Sequence, residues 1–281
     1  MRLSLRSLLA PLALSATVAA TVAVAPTDAH ADNDVNVLVL KEHGVGTAAQ
    51  AQPYVDKLVV MAAKQAGWAS AKGSYQTTRT GAEKYITDSK PHFGILSLAA
   101  FLGLKDKHKL EIIGQVASSR AGGQQYHLIS KNAADAAGCK GKQLATDHAD
   151  DTKFIDNVVF GAKMKLSEFT LVATTRPIQT VKKVIAGEAE CALVDDAQYA
   201  ELANVEGAGG IKSVWKSDKL PPMVIVAFPA APAAEKKGFQ GAFGKVCEGD
   251  GKDVCKEVGI SAMKTAATTD YQTVITAYTK Q

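Results

Sequence analysis

The chain has 281 residues, and its 32 Lys+Arg against 28 Asp+Glu leave a formal net charge of +4, too balanced for the basic footprint of a nucleic-acid binder. With 47% hydrophobic, 21% charged and 6% aromatic residues the composition is globular, which excludes disordered, collagenous and coiled-coil chains. The length is enough for two lobes of about 100 to 130 residues, which bury a core without staples, so the four cysteines need another reason.

Arg2 and Arg6 precede a weakly apolar run over residues 8–25, and Ala29, His30 and Ala31 lead into the polar Asp32, Asn33 and Asp34. This is the layout of a secretory leader over residues 1–31, removed to leave Asp32 at the mature N-terminus, with a remaining charge of +3. No cysteine lies in or just after the apolar run, which argues for a freely diffusing exported protein, and no later stretch reaches the 18 apolar residues of a membrane span. In an oxidising compartment Cys139, Cys191, Cys247 and Cys255 read as two disulfides. Three pairings are possible; the short polar stretch 248–254 favours Cys247 with Cys255, leaving Cys139 with Cys191.

From residue 35 short β-branched runs alternate with amphipathic segments. Residues 35–40 read as a strand, followed by Val55, Leu58, Val59 and Ala62 at helical spacing until Gly67. Residues 74–77, 93–96 and 110–116 read as further strands, with helices over 81–89 and 99–105, a βαβ pattern that requires a largely parallel sheet covered on both faces. Such sheets place ligands at the carboxyl ends of their strands. Ser118 to Gly123 break the pattern, and a second series follows. It has strands near 125–129, 143–145, 169–172 and 191–194. One of its helices carries Phe154, Ile155, Val158 and Val159, and another carries Ile178, Val181 and Ile185 up to Gly187. Pro221 and Pro222 introduce an apolar run 223–228, and the remainder reads as helical, with Phe239, Phe243 and Val246 on one stripe and Val274, Ile275 and Tyr278 on the last. Lobe I is therefore expected over 32–118 and 226–281, and lobe II over 119–225.

Phe93-Gly-Ile-Leu-Ser-Leu-Ala-Ala-Phe-Leu, Lys107-His-Lys-Leu-Glu-Ile-Ile, Leu144-Ala-Thr-Asp-His and Gly187-Glu-Ala-Glu-Cys-Ala-Leu-Val-Asp-Asp, in this order and spacing, resemble the phosphate/phosphite/phosphonate-binding proteins of ABC importers. The resemblance covers nearly all of residues 34–280. It implies the type II periplasmic-binding-protein fold, an α/β molecule of two lobes, each a mixed, mostly parallel sheet flanked by helices. It also implies a non-catalytic, periplasmic solute carrier that delivers its ligand to a membrane permease, acting as a monomer without cofactor or metal. The family's contacts map onto His43 and Gly44 after the first strand, Arg79 after the second and Ser97 after the third. Across the cleft they map onto Asp147, His148, Thr174, Thr175 and Asp195.

Two departures bear on the ligand. Where phosphonate-binding members present a Ser/Thr-rich turn at a helix N-terminus, this chain has His148-Ala-Asp-Asp-Thr, so Asp150 and Asp151 fill the anion position with carboxylates unless Arg79 or His148 compensates. The loop after the third strand, Leu96-Ser-Leu-Ala-Ala-Phe, lacks the tyrosine many members place there. Together they argue against a simple phosphonate and for a neutral, amphipathic or lipid-like molecule against Leu98 and Phe101.

Competing chemistry is weaker. Gly44-Val-Gly-Thr-Ala-Ala49 is a G-x-G-x-x-A, and with Arg79 it suggests a secreted enzyme or dinucleotide-binding protein, but three residues separate it from the strand where a dinucleotide turn is tight. His43, His92, His108 and His127 are dispersed, with no H-E-x-x-H, and read as solvated or capping histidines. Glu188 and Glu190, and the basic run 105–109, read as solvated loops. A ligand-sensing domain acting on a receptor is the remaining alternative.

Overall fold

The computed structural model describes residues 34–43, 47–118 and 122–280, so the expected leader and the Gly44-Val-Gly motif lie outside the described residues. Strands β1 (Val35–Leu40), β2 (Ala71–Gln76), β3 (Phe93–Leu96), β4 (Glu111–Ser118), β10 (Val224–Ala227) and β11 (Ile260–Thr265) form one sheet in the order β11-β4-β10-β3-β1-β2. β1 pairs in parallel with both β2 and β3, whereas β10 runs antiparallel to β3 and β4, and β11 antiparallel to β4. A second sheet has the order β7-β6-β8-β5-β9 and consists of β5 (Tyr126–Ser130), β6 (Gln143–Thr146), β7 (Thr170–Ala173), β8 (Cys191–Asp195) and β9 (Lys212–Lys216). Here β6, β7 and β8 are parallel and only β5 opposes its neighbours. The chain crosses between the sheets twice, after β4 and before β10.

Local sequence explains the central elements. β3 is buried at all four residues and β10 likewise, the continuous apolar pattern of strands covered on both faces. Helix α1 (Ala48–Ala66) begins at a Thr47–Gln50 capping box and stops at Gly67, whose φ of 75° suits glycine; its buried stripe Val55, Leu58, Val59 and Ala62 lies on one face of the first sheet. At Gly114 a Cβ would stand 2.4 Å from the Phe243 ring and 2.7 Å from the Lys264 carbonyl oxygen, so only glycine lets β4 pass between helix α7 (Ala233–Val246) and β11. Replacing the fully buried Phe93 by alanine would cost about 3–5 kcal/mol.

Both expected disulfides form, Cys139–Cys191 within the second lobe and Cys247–Cys255 behind α7. The stretch between the latter pair is not simply a loop, because helix α8 (Gly251–Glu257) starts inside it. The region after Phe228 is not all helix: β11 was missed because its buried residues, Ile260 and Met263, are three apart and break the period of two. β9 escapes the pattern because its two apolar residues, Val214 and Trp215, are only half-buried and lie between lysines at a sheet edge. The helix expected around Phe154 is one α turn, α4 (Thr152–Phe154), running into a π-helical turn, Ile155–Val159. Helix α9 (Thr268–Thr279) buries Tyr271, Val274 and Ile275 in the core that includes Phe154, Ile155 and Val158 of the second lobe, and Asn157 Nδ2 donates to the Lys280 carbonyl at 3.0 Å. The lobes therefore share apolar contact beyond the two crossings.

Candidate functional site

The carboxyl ends of β1, β3, β6 and β8 converge on a cleft, as parallel strands prescribe. Its cavity of ≈ 40 Å³ is lined on the first-lobe side by Lys41, His43 and Ser97 and on the second by Tyr126, His148 and Asp195. A buried water needs roughly 10–15 Å³ of such space, so the cavity has the size of about three waters. Helix α3 (Leu98–His108) starts at the cleft with Ser97 as its N-cap. Its first turn has no acidic residue and no side-chain cap, and the Ser97 hydroxyl is buried without a hydrogen-bond partner among the described residues. Ser97 N–H donates to the Leu40 carbonyl and the helix ladder begins at Phe101, so the amides of Leu98, Ala99 and Ala100 are the free donors of an anion-favouring helix end.

Opposite, His43 and His148 lie with ring centroids 3.9 Å apart. His43 Nδ1 is 3.6 Å from Asp147 Oδ2 and His148 Nε2 is 3.9 Å from Asp147 Oδ1, both too long for closed hydrogen bonds. Burial opposes a charge on His43, but Asp147 beside it, with Glu42 and Asp150, outweighs burial and raises its pKa. Burial likewise opposes ionisation of Asp147, yet His43 and His148 hold its carboxyl below the usual range. Burial, reinforced by His43, pushes His148 down to about 3, so its imidazole is neutral, edge-on to Tyr126. Asp195 accepts from Gln198 N–H at 2.8 Å as the N-cap of helix α6 (Asp196–Ala200) and from Gly123 N–H; burial raises its pKa to about 6.

The expected site residues divide. His43, Ser97, His148 and Asp195 line the cleft, and Asp147 joins the two histidines beneath it. Arg79 does not. It heads helix α2 (Arg79–Ser89), donates from Nε and Nη2 to Glu42 at 3.0 and 2.8 Å, and from Nη2 to Asp151 at 2.8 Å. Burial opposes its charge, but Glu42 and Asp151 raise its pKa further above the ordinary guanidinium range. It is thus a clasp between lobes and spends on Glu42 and Asp151 the charge that the phosphate of a bound dinucleotide would need. A Cβ on Gly103 would stand 2.7 Å from Arg79 Nη1, so α3 makes room for the guanidinium with glycine. Thr174 bonds to Thr180 and Thr175 to Gln179 at the start of helix α5 (Pro177–Ile185), outside the cleft. Phe101 is fully buried against Tyr271, whereas Leu98 does reach the cleft. Lys41, Gln124, Tyr126 and Met223 line the cavity without having been expected; a lysine directly after β1 is the signal that was available. His92 Nδ1 accepts from Asn36 N–H, His108 pairs with Glu83 and His127 stacks on Tyr199, all structural roles.

Two mixed sheets around a cleft between two crossings define a type II periplasmic binding protein. Residues 69–271 match the family model described as ABC transporter, phosphonate, periplasmic substrate-binding protein, and the chain belongs to that family. It is therefore the periplasmic substrate-binding component of an ABC transporter. Among solved structures, a binding protein component of an ABC phosphonate transporter from Pseudomonas aeruginosa superposes with TM-score 0.64 at 15% identity, covering 85% of this chain and 83% of that one. PhnD1 from Prochlorococcus marinus in complex with methylphosphonate gives TM-score 0.65 at 9% identity, covering 86% and 96%. A Xanthomonas citri protein bound to ATP gives 0.67 at 9%, covering 88% and 96%. No curated protein sequence matches significantly.

Proposed function

We propose that this protein is exported by a leader over residues 1–31, acts as a monomer, and captures a compact oxyanion of the phosphonate or phosphate type between its lobes for delivery to a permease. One observation carries the reading: the uncapped N-terminus of α3, with the unpartnered Ser97 hydroxyl and the free amides of Leu98 to Ala100, opens into a cavity lined from both lobes. A cavity of ≈ 40 Å³ suits a small oxyanion and is far too small for a lipid. Lys41 supplies the cationic side chain on that wall, and methylphosphonate is the ligand in the Prochlorococcus marinus structure. The ligand closes the lobes about the two crossings, and the closed form docks on the permease. Lobe I comprises residues 32–118 and 226–281, and lobe II residues 119–225. Calorimetry with phosphate and methylphosphonate, paired with small-angle scattering, tests this: binding to one of them is expected and is weakened by Ser97→Ala, and absence of binding to both refutes it.

A further inference from the structure

We propose that His43, Asp147 and His148 form a binding site for a divalent transition-metal ion of the zinc class, set beside the oxyanion position and completed by donors from both lobes. The inference rests on the cleft being the solute site only for what occupies the fourth coordination position; the metal donors stand on their own geometry.

Both carboxylate oxygens of Asp147 and both ring nitrogens of His148 are buried with no hydrogen-bond partner among the described residues, and their side chains are 1% and 3% exposed. An uncompensated buried carboxylate costs several kcal/mol, and buried polar groups are almost always satisfied. A His43–Asp147 ion pair would answer for one oxygen of Asp147 and leave both nitrogens of His148 idle. A metal ion answers for all three residues at once. Their donor atoms already lie within 4.8 Å of one another, with His43 Nδ1 at 3.6 Å and His148 Nε2 at 3.9 Å from Asp147 oxygens. Four-coordinate zinc with bonds near 2.0–2.1 Å separates its donors by about 3.3 Å, so the cluster needs to contract by at most about 1.5 Å. That movement is available because His43 follows β1 of the first lobe and the Asp147-His148 pair follows β6 of the second, so bound metal draws the lobes together.

Two imidazoles and one carboxylate favour zinc, copper or nickel over magnesium and calcium, which prefer all-oxygen shells. Three protein donors leave one position for solvent or an anionic ligand. This also addresses the charge of the cleft. Asp195 lines the cleft where an oxyanion would sit and Asp147 lies beneath it, and a divalent cation on Asp147 turns the repulsion of an oxyanion into attraction.

The test is isothermal titration of untagged, EDTA-treated protein with ZnCl2, with MgCl2 as control, on wild type, His43→Ala and Asp147→Asn. His43 is partly exposed, so its alanine variant is expected to fold, melting cooperatively but at a lower temperature because the buried Asp147 loses a partner, and that cooperative melt guards against misfolding. One zinc per chain is expected, no magnesium heat, and at least about a tenfold loss of zinc affinity in each variant. No zinc binding, or variants that bind zinc as tightly as wild type, overturns the proposal. Methylphosphonate is titrated in separate arms with EDTA and with zinc. Methylphosphonate binding in EDTA without any zinc binding overturns the metal site and leaves the solute reading intact, whereas zinc binding lost in both variants supports the metal site whatever methylphosphonate does.

Discussion

Arg79 joins Glu42, on the loop after β1, to Asp151, at the start of α4 in the other lobe, and the Asp151→Asn variant isolates the inter-lobe arm of that clasp. Asp151 is 7% exposed at its side chain and Arg79 31%, and the Nη2 to Oδ2 distance is 2.8 Å. A charge-assisted hydrogen bond in such a setting contributes about 1.5–3 kcal/mol. Asparagine keeps the shape and an acceptor but not the charge, so the ratio of closed to open forms falls by about 10- to 150-fold. Small-angle scattering of the ligand-free protein should then show a larger radius of gyration for Asp151→Asn, and the apparent solute affinity should fall by up to the same factor. Glu42→Gln is the control: it weakens the pair within the first lobe, lowers the melting temperature, and leaves the inter-lobe arm in place. If Asp151→Asn scatters as wild type does and binds solute equally well, while only its melting temperature drops, Arg79 is a local brace and the clasp reasoning fails.

Gly103→Ala should gain about 1 kcal/mol of helix propensity in an Arg79→Ala background, where the guanidinium no longer blocks the Cβ, but not in wild type, where Glu42 and Asp151 pin it; equal effects in denaturant melts of both backgrounds would discount the close approach. Asp195 has a folded pKa of about 6 against an ordinary value of 3.8, raised by burial first and by Asp196 and Asp147 against the pull of the Gln198 amide and Lys41. The native state therefore holds the proton more tightly. Its stabilising contribution is complete below pH 3.8 and is lost as pH rises through about 6, a change of about 3 kcal/mol. Asp195→Asn should lack this slope in EDTA-containing buffers, and parallel stability-versus-pH curves for the two proteins would contradict it. Cys139 and Cys191 enclose a sequence separation of 52 and Cys247 and Cys255 one of 8, so loop entropy assigns them about 4 and about 2.5 kcal/mol. The Cys139→Ala/Cys191→Ala variant should lose more stability than Cys247→Ala/Cys255→Ala, and the reverse order would remove loop entropy as the explanation.

Which site residues were legible follows from strand order. His43, Ser97, Asp147 with His148, and Asp195 follow β1, β3, β6 and β8, all interior to their sheets. Arg79, Thr174 and Thr175 follow β2 and β7, which are edge strands. The alternation of strand and helix reveals that a residue sits at a strand's carboxyl end. It does not reveal the strand's place across the sheet, which depends on crossovers between distant segments. Elements with full apolar periods, such as β1 and β3, were recoverable to within a few residues, and so was the end of α1 at Gly67, though not its start at Ala48. Lysine-flanked β9 and the unevenly buried β11 carry their pairing in backbone hydrogen bonds that no side-chain pattern announces.

The same limit governs the electrostatics. The sequence put the obstacle to an anion at Asp150 and Asp151, but Asp151 is neutralised by Arg79, and the carboxylates nearest the cleft are Glu42, itself paired with Arg79, and Asp195 on its lining, with Asp147 beneath it; the last two are those the family resemblance marked as ligand contacts. A wall of free helix amides facing buried carboxylates is self-contradictory for a bare oxyanion, since repulsion across a small, poorly solvated cavity is screened far less than at a surface. Protonation of Asp195 relieves part of it only near or below pH 6. His43 answers part of the charge of Asp147, and His148, neutral and without a hydrogen-bond partner among the described residues, is a ready donor to a metal ion rather than a second proton carrier. A solute captured together with a metal ion is the arrangement in which the amides of α3, the Ser97 hydroxyl and the His43–Asp147–His148 cluster all act on one ligand.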